Sequence, residues 1–393
     1  MIRDFTRPGL CRSVATAGTI LLGLVAGGIA YAPAALVAAK PAVVVGAYYF
    51  DGWNHKNSHV SKLLATRFAY RKPIWGWYDD TEAIMRQQIN LCADHDIAFW
   101  TFDWYYKTRA NNNALHLYLK APNRNRLKFC LNMCSPIPTG KWGNFCDRVL
   151  TYFRQPTYLK LRGQPLLIIF NPRRLLHSFG GVEAMRRAFG KLRAAAEKQG
   201  ISGIQLAANA AHNATPADLH RFVQAGYNIL TGYGYVPSGV YAVRHSKPEP
   251  FSVLEACNRR IFDRFAAAPL PYIPSVNIGF DPRADKYNPP VHFIWFTRTP
   301  RDVGRIVRMG VRWIYHYHYG HYKTADRILL LCAWNETDGW LTPTAIRGDA
   351  YLDAVQRAVA APPNAMVGGP PSMYGRTGAQ PPSTSGGKKG STK

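Results

Sequence analysis

Between residues 41 and 361 the chain repeats one unit eight times: a short apolar run, then a stretch with helical periodicity. The runs are Val43–Tyr49, Ile97–Phe102, Leu127–Asn132, Leu166–Phe170, Gly203–Ala208, Asn228–Gly232, Tyr272–Asn277 and Ile328–Trp334. Continuous apolar runs of this length read as strands buried on both faces, as in a parallel sheet. The intervening segments carry helix punctuation. Asp80–Asp94 starts at a capping residue, and Gly181–Gln199 is amphipathic and stops at Gly200, a residue suited to a left-handed C-cap. Thr215-Pro216-Ala217-Asp218 and Thr299-Pro300-Arg301-Asp302 each set a cap, a proline at the first helical position and an acid in the first turn. Ala345–Ala360 supplies the closing helix. Eight alternations without a strand doublet predict an α/β fold of the (β/α)8 TIM-barrel type. Periodicity alone leaves an open doubly wound sheet as the alternative. The length, 393 residues, suits one such barrel with insertions.

The ends read differently. Arg3, Arg7 and Arg12 precede a stretch without charge that lasts until Lys40, with Thr19–Val25 as its apolar centre. That layout predicts an export signal over residues 1–39, with Val37-Ala38-Ala39 as a cleavage site, or else a membrane anchor. The protein is therefore expected outside the cytoplasm, touching membrane only through that segment. Residues 362–393 are rich in Pro, Gly, Ser and Lys and too poor in apolar groups to offset chain entropy, so a disordered tail is expected. The barrel is assigned to 40–361.

Net charge is +26 with a pI near 10.0. The Lys and Arg residues are spread along the chain without a nucleic-acid motif, so no nucleic-acid partner is expected. A basic solvated surface, suited to an anionic cell envelope, is the first reading and an anionic polysaccharide substrate the second. A monomer is expected. Cys11 lies in the presumed signal, and the other six cysteines match no zinc spacing. Buried free thiols are expected for most of them, Cys92 and Cys332 in particular. His316, His318 and His321 alternate with tyrosines but lack a completing carboxylate or thiolate. They are read as polar rim lining, with no metal and no cofactor expected.

Barrel enzymes carry their sites at the C-terminal ends of the strands. Those ends hold Tyr48, Tyr49, Asp51 and Trp53; Asp103, Trp104 and Tyr105; Asn132; Asn209; Tyr233; Asn277 and Asp281; and Trp334, Asn335, Glu336, Asp338 and Trp340. Asp281-Pro282-Arg283 also reads as an ion pair ordering its loop. Aromatic faces stack on the apolar faces of sugar rings, while amides and carboxylates bind hydroxyls. The mixture suits a carbohydrate cleft better than a phosphate site, which would need a glycine-rich backbone cradle.

Several of these segments resemble family 99 glycoside hydrolases and the related WbsX-type domains. They are Val45-Gly46-Ala47-Tyr48-Tyr49-Phe50, Phe102-Asp103-Trp104-Tyr105-Tyr106 with Asn112-Asn113-Ala114-Leu115, Asn277-Ile278-Gly279-Phe280-Asp281-Pro282-Arg283, and Ala333-Trp334-Asn335-Glu336. The resemblance implies a (β/α)8 fold and endo-acting, configuration-retaining hydrolysis of α-mannosidic bonds. It also implies two glutamates three residues apart on the last strand's loop. The first, which assists the 2-hydroxyl as a base, falls on Glu336. The second, the acid, falls on Gly339, leaving Asp338 as the nearest carboxyl and Asp103 or Asp51 as substitutes. Three functions stay open on these grounds: a glycosidase, a carbohydrate-binding protein on the same scaffold, and a glycosyltransferase. The last lacks an Asp-x-Asp motif.

Overall fold

The computed structural model describes residues 43–107, 110–210, 213–237, 247–285, 294–321, 327–336 and 340–360. All belong to one compact unit, Pro41–Lys393. The expected export segment, the tail at 362–393 and Asp338 lie outside the described residues.

Eight parallel strands form the barrel: β1 Val44–Tyr49, β2 Ile97–Trp104, β3 Lys128–Met133, β4 Gln164–Ile169, β5 Gln205–Asn209, β6 Ile229–Thr231, β7 Ser275–Asn277 and β8 Ile328–Cys332. Their order is β7-β8-β1-β2-β3-β4-β5-β6. The ring closes where Leu230 bridges Tyr272 in parallel, with Leu230 N donating to Pro271 O (2.8 Å) and Ile273 N to Leu230 O (2.8 Å). The paired registers Tyr49–Phe102, Asp103–Asn132, Asn209–Thr231 and Asn277–Cys332 align the C-terminal ends at one rim. This is why residues scattered from position 48 to 340 converge.

The strands sit within two residues of expectation with one exception. β7 starts at Ser275 rather than Tyr272 because Pro271 and Pro274 lack the N–H groups a longer ladder would use. The barrel core is apolar: Val45, Phe99, Leu131, Leu167, Leu206 and Leu330 are fully buried. Each such side chain contributes about 1.5–3 kcal/mol. Gly46 is required where it stands, since a Cβ there would meet the Phe99 ring at 2.2 Å.

Helices pack outside: α1 Glu82–Asp94, α2 Asn113–Lys120, α3 Trp142–Phe153, α4 Pro172–Ser178, α5 Val182–Glu197, α6 Pro216–Ala225, α7 Phe251–Ala266, α8 Pro300–His321 and α9 Ala350–Ala360. Thr215 and Asp218 form the expected capping box, and Thr299 with Asp302 repeats it. Helix α9 starts five residues later than expected, because Thr344–Gly348 closes a turn through Gly348 N to Thr344 O (2.8 Å), with Gly348 at φ 51°. The His316–His321 tract is the last part of helix α8, not a strand-end rim; its alternation with tyrosine is embedded in a 22-residue helix. Among the described residues no helix is long and apolar enough to cross a membrane, and no group of three His, Cys, Asp or Glu is placed to hold a metal. Cys92, Cys130, Cys134, Cys146, Cys257 and Cys332 are free thiols, and all but Cys134 are buried.

Candidate active site

The segment between β1 and α1, residues 50–81, folds over the rim. Together with the segment after β8 it walls a narrow pocket. Four indoles line it: Trp53, Trp75, Trp77 and Trp340. Two carboxyl groups line the same pocket, Asp79 and Glu336.

Glu336 is held through its neighbours. Trp334 N donates to Tyr48 O (2.7 Å), and Leu341 N donates to Trp334 O (2.8 Å), which pins both ends of the loop. The Asn335 amide then clips to the backbone of Phe50: Phe50 N donates to Oδ1 (2.9 Å) and Nδ2 donates to Phe50 O (2.8 Å). Asn112 does the same at the end of β2, taking Tyr105 N on Oδ1 (2.9 Å) and giving Nδ2 to Tyr105 O (2.7 Å). A side-chain amide that copies a ladder partner fixes a strand end where the ladder stops.

Behind Glu336, the Tyr233 hydroxyl contacts Glu336 Oε1 and lies 2.8 Å from Asp103 Oδ2. Asn132 Nδ2 donates to the other oxygen, Asp103 Oδ1, at 2.8 Å. One phenol proton cannot serve two carboxylates. Both hydrogen bonds form together only when one carboxyl carries a proton, either on Asp103 donating to the phenol oxygen or on Glu336 donating to it. Burial pushes Asp103 up to about 6, against the lowering effect of the Asn132 and Tyr233 hydrogen bonds. Burial also holds the Tyr233 phenol well above its ordinary range, so the bridge itself keeps its proton.

Asp79 is the second unusual acid. It is buried, and burial pushes it up to about 7; the hydrogen bond from Tyr49 lowers it and the charge of Asp51 raises it. Tyr49 OH donates to Asp79 Oδ2 at 2.8 Å, and Gln88 Nε2 reaches the same oxygen at 3.4 Å. Gln88 is a polar residue on the buried face of α1, and it also accepts the Trp334 indole N–H (2.6 Å).

The residues expected from the sequence divide into two sets. Trp53, Trp340, Asn335 and Glu336 border the indole pocket; Tyr233 and Asn209 border a second, larger cleft with Phe170 and Arg173. Tyr105 is half-buried beside these acids: burial first, then the charges of Asp103, Cys134 and Glu336, raise its phenol. The others lie beneath the cleft surface, and for them the expectation of sugar contact is corrected. Tyr48 and Trp104 are fully buried, the first with its hydroxyl on Gly232 O (2.6 Å), the second packed on Phe145 and Tyr152 under Arg148. Tyr49 serves Asp79, and Trp334 packs within the barrel on Trp100, ring centroids 5.8 Å apart and tilted by 45°. Asp51 caps helix α2, accepting Ala114 N (2.8 Å) and Asn54 Nδ2 (2.9 Å), and burial pushes it up to about 6. Asn132 supports Asp103, and buried Asn277 takes Gly279 N on its side-chain oxygen (3.3 Å). Both oxygens of Asp281 are engaged by arginines, Arg283 Nε on Oδ1 (2.7 Å) and Arg71 on Oδ2, which makes it a loop clamp. The common reason is geometric: residues at strand ends alternate inward and outward, and the inward ones fill the layer under the cleft.

Sequence reasoning missed Asp79, Trp75 and Trp77. The signal was present in Trp75-Gly76-Trp77-Tyr78-Asp79, an aromatic cluster ending in an acid within an unusually long strand-to-helix connection.

The strands close a parallel (β/α)8 barrel, and solved structures similar to it carry that architecture. A glycoside hydrolase-like protein superposes with TM-score 0.59 at 14% identity, covering 81% of this chain and 94% of its own. A GH99 endo-alpha-mannosidase from Bacteroides thetaiotaomicron superposes with TM-score 0.50 at 14% identity, covering 80% of this chain and 96% of its own. The same enzyme in complex with bis-tris-propane gives 0.51. No protein-family model matches the chain, and no curated protein sequence does. At this identity the likeness establishes the fold.

Proposed function

We propose that this barrel hydrolyses glycosidic bonds, with Asp79 as the acid and Glu336 as the opposing carboxylate of one indole-walled pocket. The observation that carries the reading is the joint presence of Asp79 and Glu336 in the pocket formed by Trp53, Trp75, Trp77 and Trp340. Glycoside hydrolysis needs one carboxyl that keeps its proton near neutral pH and one that works ionised. Asp79, raised to about 7, meets the first requirement and can protonate the leaving oxygen. Glu336, ionised while Asp103 holds the proton of the Tyr233 bridge, can take a proton from the sugar or from water. Indole faces stack on the C–H faces of sugar rings and orient them.

The motif resemblance favours α-mannosidic linkages and endo action. Residues 1–39, read as an export signal or anchor, favour a polysaccharide of the cell envelope or its surroundings. Purified protein is incubated with a panel of α-linked glycans and new reducing ends are measured, for wild type, Glu336→Gln, Asp79→Asn and Asp338→Asn. The reading expects release by wild type and losses of about 10²–10⁴ in Glu336→Gln and Asp79→Asn, with Asp338→Asn near wild type. Loss in Asp338→Asn but not in Asp79→Asn would move the acid to Asp338. Oligosaccharide binding with no release by wild type would leave a carbohydrate-binding protein.

A further inference from the structure

Three large apolar side chains stand exposed beside the pocket: Ile346 at 73%, Ile74 at 55% and Tyr70 at 44%. They belong to two segments that the fold joins. Ile74 N donates to Pro343 O at 3.0 Å, and Pro73 bridges Thr344 in antiparallel fashion. The turn Thr344–Gly348 carries Ile346 at its tip. Isolated exposed isoleucines are ordinary, but two on adjoining loop tips with a tyrosine form a patch.

The two segments themselves carry charge of one sign, with Asp79, Asp80 and Asp349 just beyond their ends. Lys62, Arg67, Lys72 and Arg347 are exposed on the same two segments. Neither 61–78 nor 340–348 contains a single Asp or Glu. Apolar tips ringed by cations match an anionic lipid surface, where the tips enter the acyl boundary and the cations meet the headgroups. A glycan is a poor occupant, because an isoleucine offers neither a flat ring to stack nor a donor for hydroxyls. The fold supports shallow insertion, since Ile74 and Ile346 lie on backbone fixed by the bridges just described.

We infer that this face, centred on Ile74 and Ile346, docks on an anionic membrane surface. Pro73, Trp75 and Thr342, from the same segments, line the indole pocket, so docking holds that pocket at the membrane and presents it to surface-borne glycans. The docking stands independently of the proposed hydrolysis.

The test uses the full chain with vesicles of phosphatidylcholine and phosphatidylglycerol, against pure phosphatidylcholine, at low and high salt. Hydrogen exchange is followed in 70–74 and 343–348, so that any binding through residues 1–39 is read separately. Protection of both segments is expected on anionic vesicles only, weakening with salt. The variants Ile74→Ser/Ile346→Ser and Arg67→Glu/Lys72→Glu should each weaken binding at least about 10-fold, since one cation near such a surface contributes about 5-fold. All four positions are exposed, and circular dichroism and melting temperature should match wild type. Vesicle binding without protection of these segments, or variants that bind like wild type, would overturn the inference. So would protection by an acidic protein or an anionic polysaccharide but not by vesicles.

Discussion

Replacing Asp79 by Asn should make the protein more stable at alkaline pH while removing its activity. A buried carboxyl held at about 7 folds at a cost once the pH passes the value it has in the unfolded chain, 3.8. The sign follows from proton binding. Below 3.8 the side chain is neutral in both states and Asp and Asn behave alike. Between 3.8 and about 7 the unfolded chain ionises and the folded one does not, so wild-type stability falls as pH rises. Above 7 the loss is complete. The gap of about 3 pH units, at 1.36 kcal/mol each, sets an upper limit of about 4 kcal/mol. Asn can keep the Tyr49 hydrogen bond on its carbonyl oxygen, so much of the gain survives. With about 2.1 cal/mol/K of unfolding entropy per residue over roughly 320 residues, 4 kcal/mol corresponds to about 6 °C in melting temperature. Thermal unfolding of wild type and Asp79→Asn between pH 4 and 8 measures it. The curves should meet near pH 4 and diverge up to pH 7–8, with the variant the more stable. A variant less stable at pH 8, or a gap that does not vary with pH, would mean that Asp79 is ionised and paired, and the reasoning that makes it the acid fails.

Two further outcomes follow from the same network. Tyr233→Phe breaks the bridge between Asp103 and Glu336. The turnover rate should fall about 10- to 100-fold, and the inflection near pH 6 contributed by Asp103 should vanish from the pH–rate profile, while the loss of activity above about 7, from Asp79, remains. Gln88→Leu leaves the buried Trp334 indole N–H without its acceptor and should cost about 1–3 kcal/mol in urea unfolding, although Gln88 lies on an outer helix.

What could be read without coordinates was whatever depends on local pattern. The eight runs, from Val43–Tyr49 to Ile328–Trp334, announce the barrel because strands buried on both faces must be apolar throughout. Thr215 and Thr299 announce helix starts because a cap is satisfied within four residues. Glu336 could be singled out by its place after the last run. Chemistry that depends on side-chain direction could not be read in this way. Trp334 and Trp53 look alike in the sequence, but one packs inside the barrel and the other walls the pocket. Asp51 and Asp79 follow the same strand. Helix α2 turns the first into a cap, and burial beside Tyr49 turns the second into a proton-holding acid. The sequence alone determined that a rim of aromatic, amide and carboxyl groups would form and that Glu336 would stand on it. The tertiary structure decided that its partner within the pocket is Asp79 and that Asp103 reaches it through Tyr233. Burial and hydrogen-bond stoichiometry are set by contacts between residues as distant as Phe50 and Asn335, 285 positions apart, and no local pattern encodes them.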